Sequence, residues 1–302
     1  MAEQIDPKLQ KTKYGFRKGK STSHAIHIIR RILEMGERAN KTFYILVLDC
    51  EKAFDKVDQN KMFEALQRMG ISTKIINMIK QLYKNPLFRV EDEGYTSTWH
   101  KQHSGIRQGC PLSPYPFLIV RTAMFHDIHL NEELNNDLRE NKLLGTLLDE
   151  VLYADDTIIY SMESKTVEQL LHAIEIQGEK YGLKLNEKKC ELIQVRGVES
   201  VKYRNGNTVP NKQECKYLGC VLNSKGDVGR EVNNRITECH SAWKRMETYW
   251  EKANSTTRET LLVYDAIVRA KLMYGLESVH LTETLKNKID IFQRRTKTNS
   301  KS

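Results

Sequence analysis

Apolar and polar positions along this chain follow two different periods, and the changes of period mark out its elements. Thr42 to Leu48 (TFYILVL) is aromatic and β-branched without a polar break, the pattern of a buried strand, and it runs straight into Asp49. Asp58 stands ahead of Met62, Phe63, Leu66 and Met69 at helical spacing with Gly70 behind them, so a capped helix is predicted there. Ser72 opens a second helix with Ile75, Ile76, Ile79, Leu82 and Tyr83 on one face, ending near Pro86. Residues 87 to 103 predict a hairpin around EDEGY. A further helix begins at Pro114; both Pro114 and Pro116 fall in its first turn, where a missing N–H does little harm. Leu144 to Tyr153 and Thr157 to Tyr160 predict two strands meeting in a tight hairpin at Ala154-Asp155-Asp156. Ser164 starts a helix carrying Val167, Leu170, Leu171 and Ile174 that closes at Gly182. Short strands follow around Leu183 to Leu185, Glu191 to Val195 and Tyr217 to Leu222.

Beyond Gly226 the pattern becomes helical. Val232, Ile236, Cys239, Trp243, Met246 and Trp250 alternate steps of four and three, the stripe of an amphipathic helix, and a second helix spans about Thr257 to Tyr274. Trp243 and Trp250 could stack on bases, but their place on the stripe predicts core positions. The change of character divides the chain into residues 1–225 and 226–302. Neither part contains an internal repeat or a low-complexity block, which excludes a solenoid.

Composition narrows the class. With 39% hydrophobic and 29% charged residues, the 302-residue chain is globular rather than disordered. Its longest apolar runs, such as Phe43 to Leu48, are too short to span a bilayer, and MAEQIDPKLQKTKYG has no apolar secretory core. An intracellular protein, cytoplasmic or nuclear, not secreted and without a membrane partner, is therefore expected. A net charge of +9 suits a polyanionic partner, with basic residues crowded before Lys20 and again from Lys286 to Lys301. The six cysteines show no CxxC pairing and are too sparse for a disulfide scaffold, so free thiols are expected. The pairs His24/His27, His100/His103 and His126/His129 have ligand-like spacing but no second pair to complete a zinc site.

The chemistry rests on carboxylates. Asp49 ends an apolar strand, and Asp155-Asp156 sit at a hairpin tip between VLY and TIIY. An Asp-Asp pair in a turn is common. Adjacent carboxylates between buried strands, with a third on another strand, repel one another and resist desolvation. A bound divalent cation removes that cost, and three such acids suffice for two Mg²⁺ ions (Mn²⁺ being possible) whose other ligands are phosphate and water.

The blocks LDCEKAFDKVD, SGIRQGCPLSP, LYADDT, GLKLNEKKC and KYLGCVL resemble, in order and spacing, reverse transcriptases of non-LTR (LINE-type) retrotransposons. GFRKGKSTSHAI is similar to the block just upstream in that family, and the helical tail with MYGLES to its thumb. The resemblance implies an α+β fold: a right-hand polymerase palm (an antiparallel sheet with packed helices) with partial fingers, followed by an all-helical thumb. It implies an RNA-directed DNA polymerase that adds dNTPs to a DNA primer on an RNA template. Asp49 and Asp155 would bridge two metal ions, Asp156 would complete the triad, and the Cys50 carbonyl would be a further ligand. Phe54 resembles the aromatic gate that crowds a ribose 2′-OH, though its place beside the strand also suits a core aromatic. Gln108 and Gly109, with Arg107 beside them, resemble the loop lining nucleotide and template, and Ser113 and Pro114 the start of the helix supporting it. Lys189 resembles the lysine near the triphosphate. Tyr217, Leu218 and Gly219 resemble the primer-gripping hairpin, and Arg17, Lys18 and Lys20 are expected to follow backbone phosphates.

Departures accompany the match. Tyr115-Pro116-Phe117-Leu118 stands where the family commonly has LLFN, and Cys190 where Thr or Ser is common. The chain opens at the GFRKGKST block, so a form truncated at both ends is expected, without the earlier fingers strands, an endonuclease or a Cys/His knuckle. GFRKGKST is also similar to a P-loop, but Gly15 and Gly19 enclose three residues where that motif needs four. A second reading is a decayed retroelement fragment that binds nucleic acid without polymerising; the intact Asp49, Asp155 and Asp156 favour the enzyme.

Overall fold

The computed structural model describes residues 5–142, 149–246, 249, 252 and 256–299. The start of the strand expected from Leu144, Trp250 and the basic Lys301 lie outside the described residues. The chain forms two compact units, one of residues 1–21 with 40–213, the other of residues 22–39 with 214–302.

The first unit is built on a four-stranded antiparallel sheet in the order β6–β7–β1–β8. Here β1 is Phe43–Leu48, β6 is Glu150–Tyr153, β7 is Asp156–Ser161 and β8 is Glu191–Val195. Every residue of β1 is buried, because it is a central strand covered on both faces, as its unbroken apolar run requires. The predicted helices over Gln59–Arg68, Thr73–Leu82 and Ser164–Lys180 are present. Asp58 caps the first by accepting from the Lys61 amide at 2.8 Å. Between Leu87 and Lys101 the expected hairpin forms as two nested strand pairs, β2 (Leu87–Phe88) with β5 (His100–Lys101) and β3 (Glu91–Asp92) with β4 (Tyr95–Thr96).

The helix from Pro114 to Ile128 is apolar on all sides, and eleven of its residues are buried, so it forms the middle of the core rather than a surface layer. Both prolines lie at its start and break no internal bond. The segment before Tyr14 is largely polar in sequence. Yet Ile5, Leu9, Thr12, Lys13 and Tyr14 are buried. The Tyr14 amide donates to the Leu152 carbonyl at 2.8 Å and the Leu152 amide to the Thr12 carbonyl at 3.0 Å, so this segment covers the exposed edge of β6.

The second unit joins the helix Thr22–Arg38 to a hairpin of β9 (Glu214–Tyr217) and β10 (Cys220–Asn223) and to the C-terminal helices. The span Tyr217 to Leu222, expected as one strand, reverses at Leu218-Gly219, whose φ angles are +47° and +76°. The division thus falls at Gln213/Glu214 rather than at 225/226, for a physical reason. Glu231, on the helix Val228–Arg245, accepts from the Val221 amide at 2.7 Å, and Arg235 donates to the Gly219 carbonyl. The hairpin is therefore fastened to the helices that follow it. Arg30 likewise donates to the Gly275 carbonyl and Ser278 Oγ, each at 2.7 Å, which ties the early helix to this unit. Its core gathers Val232, Cys239, Tyr264, Val268, Leu272, Leu276, Ile289 and Phe292. Trp243 is partly buried and packs edge-on to Tyr264 with 6.0 Å between rings, at the margin of the core its stripe predicted it to join. The helix expected from Thr257 to Tyr274 runs continuously, with a π-helical stretch at Asp265–Arg269.

Candidate active site

Sheet register brings the acids together. Antiparallel pairing of β1 with β7 matches Leu48 to Thr157, and the next pair along that register is Asp49 and Asp156. Asp155 precedes Asp156 in the tight turn between β6 and β7, where Tyr153 pairs with Asp156. That turn places Ala154 at φ +54°, a left-handed backbone that costs a residue with a side chain on the order of 1 kcal/mol. Gly15 packs against it so closely that a Cβ there would collide with the Ala154 backbone. This is the physical need for the first glycine of GFRKGK.

The electrostatics reflect this crowding. Burial, then the Asp155 and Asp49 carboxylates, push the Asp156 carboxyl up to about 6, while Arg121 pulls the other way. Lys189 lies above Asp49, its Nζ 3.8 Å from Oδ2. The backbone explains how it arrives there: the Asn186 amide donates to the Asp49 carbonyl at 2.9 Å, and Lys189 follows in the next turn. Buried Cys190, where a hydroxyl residue is common, directs its thiol at the same Asp49 carbonyl at 3.8 Å, so it retains a weak donor in that place. Cys50 is buried and bridges to Leu185.

Oxygen donors at a crowded, partly desolvated site are the chemistry a hard divalent cation requires. Among the described residues no three His, Cys, Asp or Glu side chains close into a preformed metal cage. A Mg²⁺ site completed by substrate phosphate and water needs no such cage, since one or two carboxylates per ion suffice. The acid cluster fits an ion of this kind.

Comparison with known proteins agrees with the geometry. Residues 1–222 match the family described as reverse transcriptase (RNA-dependent DNA polymerase). The chain belongs to the reverse transcriptase family, in its non-LTR retrotransposon branch. It is 29% identical over 206 residues to the Pol polyprotein of retrotransposable element R2 from Nasonia vitripennis, an alignment covering 64% of this chain and 19% of that protein. It is 24% identical to the RNA-directed DNA polymerase from mobile element jockey of Drosophila melanogaster, over 95% of this chain and 31% of that protein. The chain thus spans between about a fifth and a third of the length of these relatives. In fold it resembles apo telomerase from Candida tropicalis, with a TM-score of 0.54 at 14% identity, covering 99% of this chain and 50% of that one. The fold is the α+β right-hand polymerase fold.

The remaining reverse transcriptase positions fall as follows. Phe54 is half-buried, stacked on Phe117 at 4.3 Å between rings with Phe16 edge-on at 6.3 Å, so it is part of the core and partly open at once. The loop of SGIRQG is laced onto the segment after Asp49: the Ile106 amide donates to the Phe54 carbonyl at 2.6 Å and Gln108 Nε2 to Asp55 Oδ1 at 2.9 Å. Gly105 is required there, because a Cβ would strike the Asp55 backbone. Gly109 has φ +80°, and Ser113 is buried with its hydroxyl on the Arg107 carbonyl. Arg107 donates to the Leu82 carbonyl at 2.7 Å, and Arg17 directs its guanidinium at Asp6 (2.7 Å) and the Gln10 and Lys13 carbonyls. Arg17 is partly buried, whereas Arg107, Lys18 and Lys20 are exposed. Tyr217, Leu218 and Gly219 form the turn of the β9–β10 hairpin in the second unit, where the Tyr274 hydroxyl donates to the Leu218 carbonyl at 2.8 Å.

Two buried cations, Lys13 and Arg121, carried no role in the sequence; Arg121 feels the Asp155 and Asp156 carboxylates, and Lys13 feels Arg121 and Glu150. A signal existed for Arg121: it is the one charge in PFLIVRTAMF, and a helix apolar on every side must carry it inside.

Proposed function

We propose that this chain is the polymerising core of an RNA-directed DNA polymerase, adding dNTPs to the 3′-OH of a DNA primer on an RNA template. The observation that carries the proposal is the meeting of Asp49, Asp155 and Asp156 at the ends of adjacent strands, with Lys189 beside them. Reverse transcriptases work with divalent metal ions. Two Mg²⁺ ions would be held by the three carboxylates and the Cys50 carbonyl, supplying charge neutralisation at the entering and leaving oxygens.

The protein's own groups do the rest. Asp156, its carboxyl raised to about 6, is ionised at neutral pH and becomes fully so when a cation offsets its neighbours. Lys189 reaches over Asp49 from a turn hydrogen-bonded to the Asp49 backbone, where its ammonium can meet the charge of a departing pyrophosphate. Phe54, held by Phe117, would be the aromatic that crowds a ribose 2′-OH. Gln108 and Gly109 line the nucleotide side of the loop, while Lys18, Lys20 and the β9–β10 turn contact template and primer backbone.

Primer extension on a homopolymer RNA template with Mg²⁺ tests the reading. The full chain should extend an annealed DNA primer, and Asp155→Asn with Asp156→Asn should lower the rate by at least about a thousandfold, equivalent to roughly 4 kcal/mol of transition-state stabilisation. Wild-type binding to primer–template without any extension would leave only the binding reading standing. Within an active enzyme, Phe54→Val should raise ribonucleotide use relative to deoxynucleotide; unchanged sugar selectivity would return Phe54 to the core alone.

A further inference from the structure

Arg121 presents a physical problem. It lies in the middle of the buried helix Pro114–Ile128, is 1% exposed, and is among the largest fully buried side chains among the described residues. A guanidinium cannot shed its charge, and an unpaired charge in a core costs several kcal/mol. The nearby Glu150 is not its hydrogen-bond partner: its oxygens receive Thr12 Oγ1 at 3.1 Å and His129 Nε2 at 3.3 Å. Lys13, also buried nearby, offers it no counter-charge.

What Arg121 does touch is the catalytic hairpin. One guanidinium nitrogen, Nη2, donates to Thr157 Oγ1, and that hydroxyl lies 3.5 Å from the Asp155 carbonyl. Thr157 directly follows Asp156. The remaining Nε–H meets no hydrogen-bond partner among the described residues, and the guanidinium lies over the Phe125 ring at 5.2 Å. The arrangement is a buried cation propped under the turn that carries two carboxylates, a turn already holding Ala154 in a left-handed backbone. An apolar side chain would fill the same space without the desolvation cost, so packing alone does not account for an arginine here.

We propose that Arg121 is a positioning residue for the cation site: through Thr157 it fixes the hairpin in the geometry in which Asp155 and Asp156 receive a divalent cation. The proposal rests on the polymerase reading of the acid cluster. Its logic is that of groups behind metal ligands, which orient them without touching the metal.

The test is Mn²⁺ binding to the full chain, followed by electron paramagnetic resonance without nucleic acid, with Asp155→Asn/Asp156→Asn as the reference for triad-independent binding. Arg121→Lys keeps the charge and loses the planar fork; Thr157→Val keeps the shape and the arginine but loses the hydroxyl. Each should weaken triad-dependent Mn²⁺ binding by about tenfold or more, and the two together should weaken it no further than the worse single variant, since they break one chain of bonds. A purely structural arginine would lower the melting temperature yet leave the Mn²⁺ affinity of folded protein unchanged. Wild-type affinity in both variants overturns the proposal. If Arg121→Lys fails to fold, Thr157→Val decides alone. Absence of triad-dependent Mn²⁺ binding in the wild type would overturn the catalytic reading along with this one.

Discussion

Both units bury charge, but they treat it in opposite ways. In the second unit Glu231 and Arg235 form a closed set: Arg235 Nε donates to Glu231 Oε1 at 2.7 Å, Glu231 Oε2 takes the Val221 amide, and the other arm of Arg235 serves Gly219 and Cys220. The Arg235 and Glu231 side chains are only 8% and 2% exposed, and nearly every donor and acceptor is used inside the protein. Around the acid cluster of the first unit the charges do not close. Asp156 is pushed up by burial and two neighbouring carboxylates, Arg121 keeps an orphan N–H, and Lys13 is driven well below its ordinary range by burial and by Arg121. Satisfied burial marks a structural device. Unsatisfied burial marks a place where the fold withholds a partner that a ligand supplies.

The contrast can be broken from the structural side first, where the effect should be largest. Glu231→Ala leaves Arg235 buried without its counter-charge and the Val221 amide without an acceptor, so it should cost about 3–5 kcal/mol of stability. Replacing Glu231 and Arg235 together by Met should recover most of that loss, because no charge is then left behind. Urea unfolding followed through tryptophan fluorescence reads both. A loss under about 1 kcal/mol for Glu231→Ala would put this pair on the footing of a surface salt bridge and erase the distinction.

Much of the fold was legible because the elements that build it obey a single local rule. TFYILVL is a strand wherever it sits, and Asp58, Gly70 and Gly182 punctuate helices by their own chemistry. The acid triad was legible for a different reason: carboxylates at the ends of apolar strands contradict their surroundings, and contradiction of a local rule points to function. What escaped depended on partners distant in sequence. Lys13 looks like a surface lysine until its neighbours pair with Leu152, and Arg17 looks free for phosphate until Asp6 and Gln10 fold back onto it. The grouping of the helix Thr22–Arg38 with residues after 214 rests on Arg30 reaching Gly275 and Ser278, contacts that no periodicity encodes. A hairpin turn at Leu218-Gly219 is visible as a glycine, yet its attachment to Glu231 and Arg235 is not.

The functional side of the contrast gives a smaller effect with the opposite sign. Asp156 titrates near 3.8 when unfolded and at about 6 in the folded chain, because burial and the Asp155 and Asp49 charges disfavour its ionised form. Between those values the folded state holds the extra proton, so stability falls as pH rises through this window and the full penalty is present above pH 6. A shift of this size corresponds to roughly 3 kcal/mol, and solvent screening of a half-buried site reduces it to on the order of 1–2 kcal/mol. Asp156→Asn removes the charge at nearly constant shape. Without metal it should therefore be more stable than the wild type by about that amount at pH 7, and the two should converge as pH falls towards 4. Millimolar Mg²⁺ should narrow or reverse the difference, since a cation that binds only the folded wild type stabilises it by mass action while the variant has lost a ligand. Thermal melts at pH 4 and pH 7, each with and without Mg²⁺, contain the whole test. A metal-free Asp156→Asn less stable than the wild type at pH 7 would mean that the hairpin acids are already satisfied within the protein, and the two units would then bury charge in the same way.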